Sequence, residues 1–114
     1  MMVCSSIVKA KPIVNNYIVL YNSKHSYGIG FGSAKDVAED MALENCRSFS
    51  SGAECILTHG PFGPTDPKRC IYKVYSESGV RITGIDEQDT LQKCRQKAKE
   101  SKCWVQQTYC NKED

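Results

Sequence analysis

At 114 residues, with 40% hydrophobic and 25% charged side chains, the chain has room for one domain and the composition of an ordinary globular protein, which excludes a disordered tail. A formal net charge of +2 is too small to indicate nucleic acid by charge alone. No stretch approaches the ~18 consecutive apolar residues of a membrane span.

Residues 1–16 are expected to be a flexible lead-in. Residues 1–10 are too short for a whole signal peptide, although Val8-Lys9-Ala10 has the form of a cleavage-site tail. Cys4 invites a reading as a free thiol, a lipidation site or an intermolecular bond, but no apolar segment precedes it, and an unimportant residue is the plainer reading.

Residues 17–21 (Tyr-Ile-Val-Leu-Tyr) are aromatic and β-branched, which predicts a strand. Asn22 to Ser26 are turn residues. In residues 27–31, Tyr27, Ile29 and Phe31 alternate with Gly28 and Gly30, so a second strand carries three large side chains on one face. The lone Gly-x-Gly lacks the third glycine of a phosphate loop and reads as close packing of a strand.

Ser33 with Asp36 is predicted to cap a helix as a capping box. Ala34, Val37, Ala38, Met41, Ala42, Asn45 and Phe49 fall on one side of it at helical spacing, with Leu43 the one apolar misfit on the charged side. Residues 54–58 are predicted to form the next strand. The pattern then repeats: strand 70–75, turn 76–79, strand 80–83, a helix capped by Asp86 with Asp89 three residues on, and a last strand over 103–108. Trp104 is expected to pack on the disulfide of its neighbour Cys103.

These elements define two approximate strand-strand-helix-strand units, residues 17–58 and 70–110, within one disulfide-rich domain over 17–112. The fold class is therefore α+β: one antiparallel sheet of about six strands with two helices. The cysteines support the duplication. Of the seven, Cys46 and Cys55 are nine residues apart, and so are Cys94 and Cys103; each pair joins a late helical position to an apolar strand. We expect Cys46–Cys55 and Cys94–Cys103, with Cys70–Cys110 left to pair the remainder. Six cysteines allow fifteen pairings, and the repeat selects this one. The absence of Cys-x-x-Cys spacing and the presence of only two histidines, His25 and His59, argue against zinc, so no metal or cofactor is expected. Disulfides imply an oxidising compartment, periplasmic or secreted.

Tyr27-Gly28, Ala38, Ala42-Leu43, Cys46, Cys55, Cys70, Leu91, Cys94, Cys103 and Cys110 together resemble the bacterial secreted family catalogued as domain of unknown function 4189, over residues 17–110. Tyr17 to Tyr21 stand where that family has a Trp- and Ala-rich strand, and the second half is richer in Lys. The resemblance implies export and a disulfide-bonded fold, and no activity.

Charge is unevenly spread. Residues 17–58 hold three basic and five acidic groups, while residues 67–112 hold ten basic and five acidic. Lys93, Arg95, Lys97, Lys99 and Lys102 give the second helix a basic face, fit either for solvent or for an anionic glycan or lipid surface. The segment 59–69 holds three prolines and two glycines and is predicted to be a stiff exposed loop with an aromatic tip. His59, Phe62, Asp66, Lys68 and Arg69 are its candidate partner-binding residues. No nucleophile elbow is present, and bonded cysteines leave no catalytic thiolate. The expected function is therefore an exported non-catalytic binding protein, of the kind represented by a periplasmic immunity protein or inhibitor that blocks a toxin or envelope enzyme. The competing readings are a small envelope hydrolase with His25 or His59 as general base, and an anionic glycan or lipid binder.

Overall fold

The computed structural model describes residues 11–99 and 102–113. The elements run β1 (Ile13–Val14), β2 (Tyr17–Asn22), β3 (Tyr27–Gly32), α1 (Lys35–Ser48), β4 (Ile56–Phe62), β5 (Cys70–Ser76), β6 (Arg81–Gly84), α2 (Glu87–Ala98) and β7 (Cys103–Cys110). The α+β class and the two ββαβ units are as the pattern predicts. The strands, however, are divided between two sheets, in the orders β3-β2-β4 and β1-β7-β5-β6. Each unit thus builds the same three-stranded sheet: its first strand is central, flanked by its hairpin partner and by the strand that follows the helix, all antiparallel. Three disulfides join Cys46 to Cys55, Cys70 to Cys110 and Cys94 to Cys103.

Residues 11–16 are not simply a lead-in, because β1 pairs in parallel with β7 through Ile13–Tyr109 and Val14–Cys110. The readings placed on Cys4 and on Val8 to Ala10 lie outside the described residues.

The period of two along β2 explains the layering. Ile18 and Leu20 turn inward and, with Ile29, meet Ile71 and Tyr109 of the other sheet. Tyr17, Val19 and Tyr21 turn outward onto Ala38 and Ala42 of α1. On the other side, Val74 and Val105 meet Leu91 and Cys94 of α2. The order through the molecule is α1, three-stranded sheet, four-stranded sheet, α2, with the main core between the sheets. Phe31 stacks on Tyr109 across that core at 5.4 Å between ring centroids. Trp104 lies outside these three clusters; it is half-buried and opposite Tyr75 in the β5–β7 ladder.

Helix α1 lies directly on β3. A Cβ on Gly28 would meet the Ala42 carbonyl oxygen, and one on Gly30 the Ala38 carbonyl oxygen. The two glycines therefore serve the close helix–strand approach that the Gly-x-Gly pattern predicts. The helix buries a narrower stripe than its periodicity suggests: Ala38, Ala42 and Cys46 are buried, while Val37 and Phe49 are 53% and 72% exposed. So close a helix has room only for small side chains on the contact face, which excludes the large ones. The expected capping box is absent. The N-cap is Ala34, without a side-chain bond, and the Asp36 carboxylate accepts from the amide of Val37 instead. Helix α2 is capped as predicted, with Asp86 accepting from the Asp89 amide at 2.8 Å.

Two expectations follow. Gly28→Ala and Gly30→Ala each lose about 3 kcal/mol of stability, the upper end of overpacking costs because the opposing atoms are backbone. Gly32→Ala, whose Cβ would have its nearest neighbour at 3.4 Å, changes stability by less than about 1 kcal/mol. Urea unfolding measures both. Among the disulfides, Cys70–Cys110 closes the longest segment, with a separation of 40 residues against 9 for the other two. In the chain-entropy model its Cys→Ala pair loses about 4 kcal/mol, and each of the others loses roughly 2.5–3 kcal/mol. The reverse order in urea midpoints would contradict the entropic account of the staples.

Candidate functional site

The candidate partner-binding segment does not form one exposed loop. β4 continues through His59 to Phe62, crossing a cis Gly60–Pro61 peptide and two register shifts against β2. His59 pairs with Leu20, and Phe62 pairs with Ile18 and packs half-buried against the inter-sheet core. Phe62 is therefore a core-anchoring residue and not a tip. The Asp66 carboxylate accepts from the Gly63 amide at 2.6 Å, closing the turn. The Arg69 guanidinium stands over the Phe62 ring, 6.0 Å from its centroid. Phe62, Asp66 and Arg69 share a shallow hollow of about 290 Å³ with Gly60, Pro61 and Pro67; His59 and Lys68 do not line it.

Asn111, which sequence reasoning passed over, organises this loop. It is 2% exposed. Its Oδ1 accepts from the Arg69 amide at 2.7 Å, and its Nδ2 donates to the Gly63 and Pro67 carbonyls at 2.8 and 3.2 Å. The Cys70–Cys110 bond, one residue away on each strand, holds the amide in register with the loop. Its adjacency to Cys110 was the only signal in the sequence.

The main concavity lies elsewhere, at the end of the sandwich where the β2–β3 turn faces the β5–β6 hairpin and the second half of α2. Its volume is about 800 Å³, within the range of ligand clefts. Both units contribute. The Asn22 side-chain amide donates to Thr83 Oγ1 at 3.2 Å, and the Tyr27 and Tyr75 hydroxyls meet at 3.5 Å. Ile29, Phe31, Ile82 and Tyr109 supply the apolar wall. Lys24, Lys73, Arg81, Lys93 and Lys97 line the cleft, with His25, and among the described residues no aspartate or glutamate does. The basic face predicted for α2 is thus split: Lys93 and Lys97, one helical turn apart, look into the cleft, whereas Arg95, Lys99 and Lys102 do not line it. Lys93 also meets Asp89 at 3.1 Å, but both side chains are more than half exposed, so the pair is weak.

The phenols differ electrostatically. Burial, then the hydrogen bond to Tyr75, pushes the Tyr27 phenol above its ordinary pKa. Burial acts upward on Tyr75 as well, but its hydrogen bond to Tyr27 and the charges of Lys73 and Arg81 outweigh it, and Tyr75 titrates below its usual value. Tyr27 is therefore the phenol that keeps its proton.

Among the described residues no serine, cysteine or carboxylate side chain is hydrogen-bonded to the imidazole of His25 or His59. No group of three or more His, Cys, Asp or Glu is placed to hold a metal among them. No described helix is long and apolar enough to cross a membrane.

His59 supplies a pH test. Burial, and then the charge of Lys93, holds its imidazole below the usual 6.5. In the acid range the unfolded chain takes up this proton before the folded one does, so stability falls as pH drops below about 6.5 and levels off beneath the folded pKa. Melting temperature measured across that window declines for the native chain and declines less for His59→Gln.

With this geometry established, comparison with known proteins returns no family model, no curated protein and no solved structure that matches the chain.

Proposed function

We propose that this is an exported, non-catalytic binding protein that takes an acidic ligand into the cleft between its two units. The observation that carries the reading is the composition of the cleft wall: among the described residues, five lysine and arginine side chains and no carboxylate. Such one-sided charge in a concave surface focuses the field and draws in anions. Each wall of the concavity belongs to a unit held by its own disulfides, which limits the ordering cost of binding. The three disulfides support export to an oxidising compartment, the periplasm or the exterior. The unpartnered imidazoles give the hydrolase reading no support. An inhibitor of a partner enzyme is the form this reading takes when the acidic ligand is a segment of another protein.

Retention on immobilised heparin provides the test. The native protein is held at low ionic strength and released as salt shortens the range of its charges. Lys93→Glu with Lys97→Glu elutes at clearly lower salt. Lys35→Glu with Arg47→Glu, the same change in net charge placed on α1 outside the cleft, elutes near the native position. Equal weakening by the two pairs would mean that net charge, and not the cleft, does the binding.

A further inference from the structure

Resting on the reading of the cleft as an acidic-ligand site, we propose that Lys73, Tyr75 and Arg81 form a subsite for a phosphomonoester group. The β5–β6 hairpin dictates the grouping. Lys73 and Tyr75, two residues apart, share one face of β5. Their cross-strand partners on β6 are Thr83 and Arg81, which share the same face.

Both cations lie against one ring. The Lys73 ammonium is 5.8 Å and the Arg81 guanidinium 5.1 Å from the Tyr75 centroid. A guanidinium resting on an aromatic ring has its plane set by the ring, while its edge N–H groups stay free to fork onto an oxyanion. Among the described residues, neither cation is ion-paired with a carboxylate. Two cations against one phenol, without a carboxylate between them, leave charge that a bound anion would neutralise. Tyr75 completes the donor set: its hydroxyl, 3.5 Å from that of Tyr27, lines the cleft and can turn its O–H toward an anion there.

The chemistry of the group follows from charge and donor count. A phosphomonoester carries nearly two negative charges at neutral pH and three acceptor oxygens, matching two cations and three kinds of donor. A carboxylate or a sulfate monoester carries one charge. The organic part of the ligand covers the apolar wall at Phe31, half-buried on the cleft.

Titration calorimetry of the disulfide-intact protein with phenyl phosphate, phenyl sulfate and benzoate tests this. Phenyl phosphate binds tightest, by about tenfold over either monoanion, as expected for an additional charge-assisted contact. Tyr75→Phe keeps the ring, and Arg81→Lys keeps the charge; each weakens phenyl phosphate about tenfold, through the lost hydroxyl or the lost fork. Sedimentation with phosphatidylcholine vesicles containing phosphatidate separates the sources: vesicle binding sensitive to Tyr75→Phe assigns the subsite to a lipid headgroup, and phenyl phosphate binding without it assigns the subsite to a soluble ester. Equal affinity for the three anions, or variants that bind phenyl phosphate like the native chain, would overturn the subsite. Heparin retention without any phosphomonoester binding removes the subsite and leaves the cleft; loss of both removes both.

Discussion

Neither ββαβ unit can hide both faces of its own sheet, and the fold follows from that constraint. The helix of each unit covers one face. The other face carries Ile18, Leu20 and Ile29 in the first unit and Ile71 and Tyr109 in the second, and the two sets are buried against each other, with Ile13, Tyr27, Phe31 and Phe62 packed around them. Burial of apolar surface is non-directional and roughly proportional to area, so it brings the sheets together without fixing how they sit. The directional contacts do that: Phe31 on Tyr109, Asn22 to Thr83 and Tyr27 to Tyr75. The latter two lie at the cleft end. The interaction that completes the core is thus also the one that sets the cleft's width, and either unit alone would present half a wall.

The staples act on a different part of the problem. A chain of this length gains little surplus from its core over the entropy of ordering. Cys46–Cys55 and Cys94–Cys103 bind each helix to the strand that follows it, which the contact face alone would do weakly: α1 offers Ala38 and Ala42 to the sheet, small residues with little area to bury. The glycines of β3 and the alanines of α1 make the layers close, and the sulfur bridges make them durable. Cys70–Cys110 works at longer range. It locks β5 to β7 beside Asn111, so the proline-containing turn and the sheet edge are held as one piece.

What could be read in the sequence was local or covalent. The hairpins, both helices and the Asp86 cap follow from periods of two and 3.6 and from capping chemistry, and the disulfide connectivity from the nine-residue spacing that recurs. What could not be read was set by distant partners. The division into two sheets depends on which faces the helices leave bare. β1 exists because β7 offers an open edge. His59 to Phe62 became strand despite Gly60 and Pro61, since β2 supplies the pairing from forty residues upstream. Ser33 lost its capping role because the chain enters the helix one residue later, at Ala34. The cleft itself joins Tyr27, Tyr75, Arg81 and Lys97, residues that only the docking of two units brings together. Of its charges, Lys93 and Lys97 were visible as a helical stripe; Lys73 and Arg81 carried no such signal.

A net charge of +2 conceals a separation that the fold creates. Asp36, Asp40 and Glu44 are exposed on α1, on the outer layer of the first unit, and Glu39 is half-exposed beside them. Four cations of the second unit, Lys73 and Arg81 on its hairpin and Lys93 and Lys97 on α2, line the cleft. Sequence order alone would give an acidic half followed by a basic half. The sandwich instead sets an acidic convex surface apart from a basic concave one within one rigid body. An acidic ligand approaching such a molecule is repelled from the helix side and drawn to the opening. Self-repulsion among the five cations lining this concavity, of which Lys93 meets Asp89 in an exposed pair, is a cost to folding that an anion held there would offset.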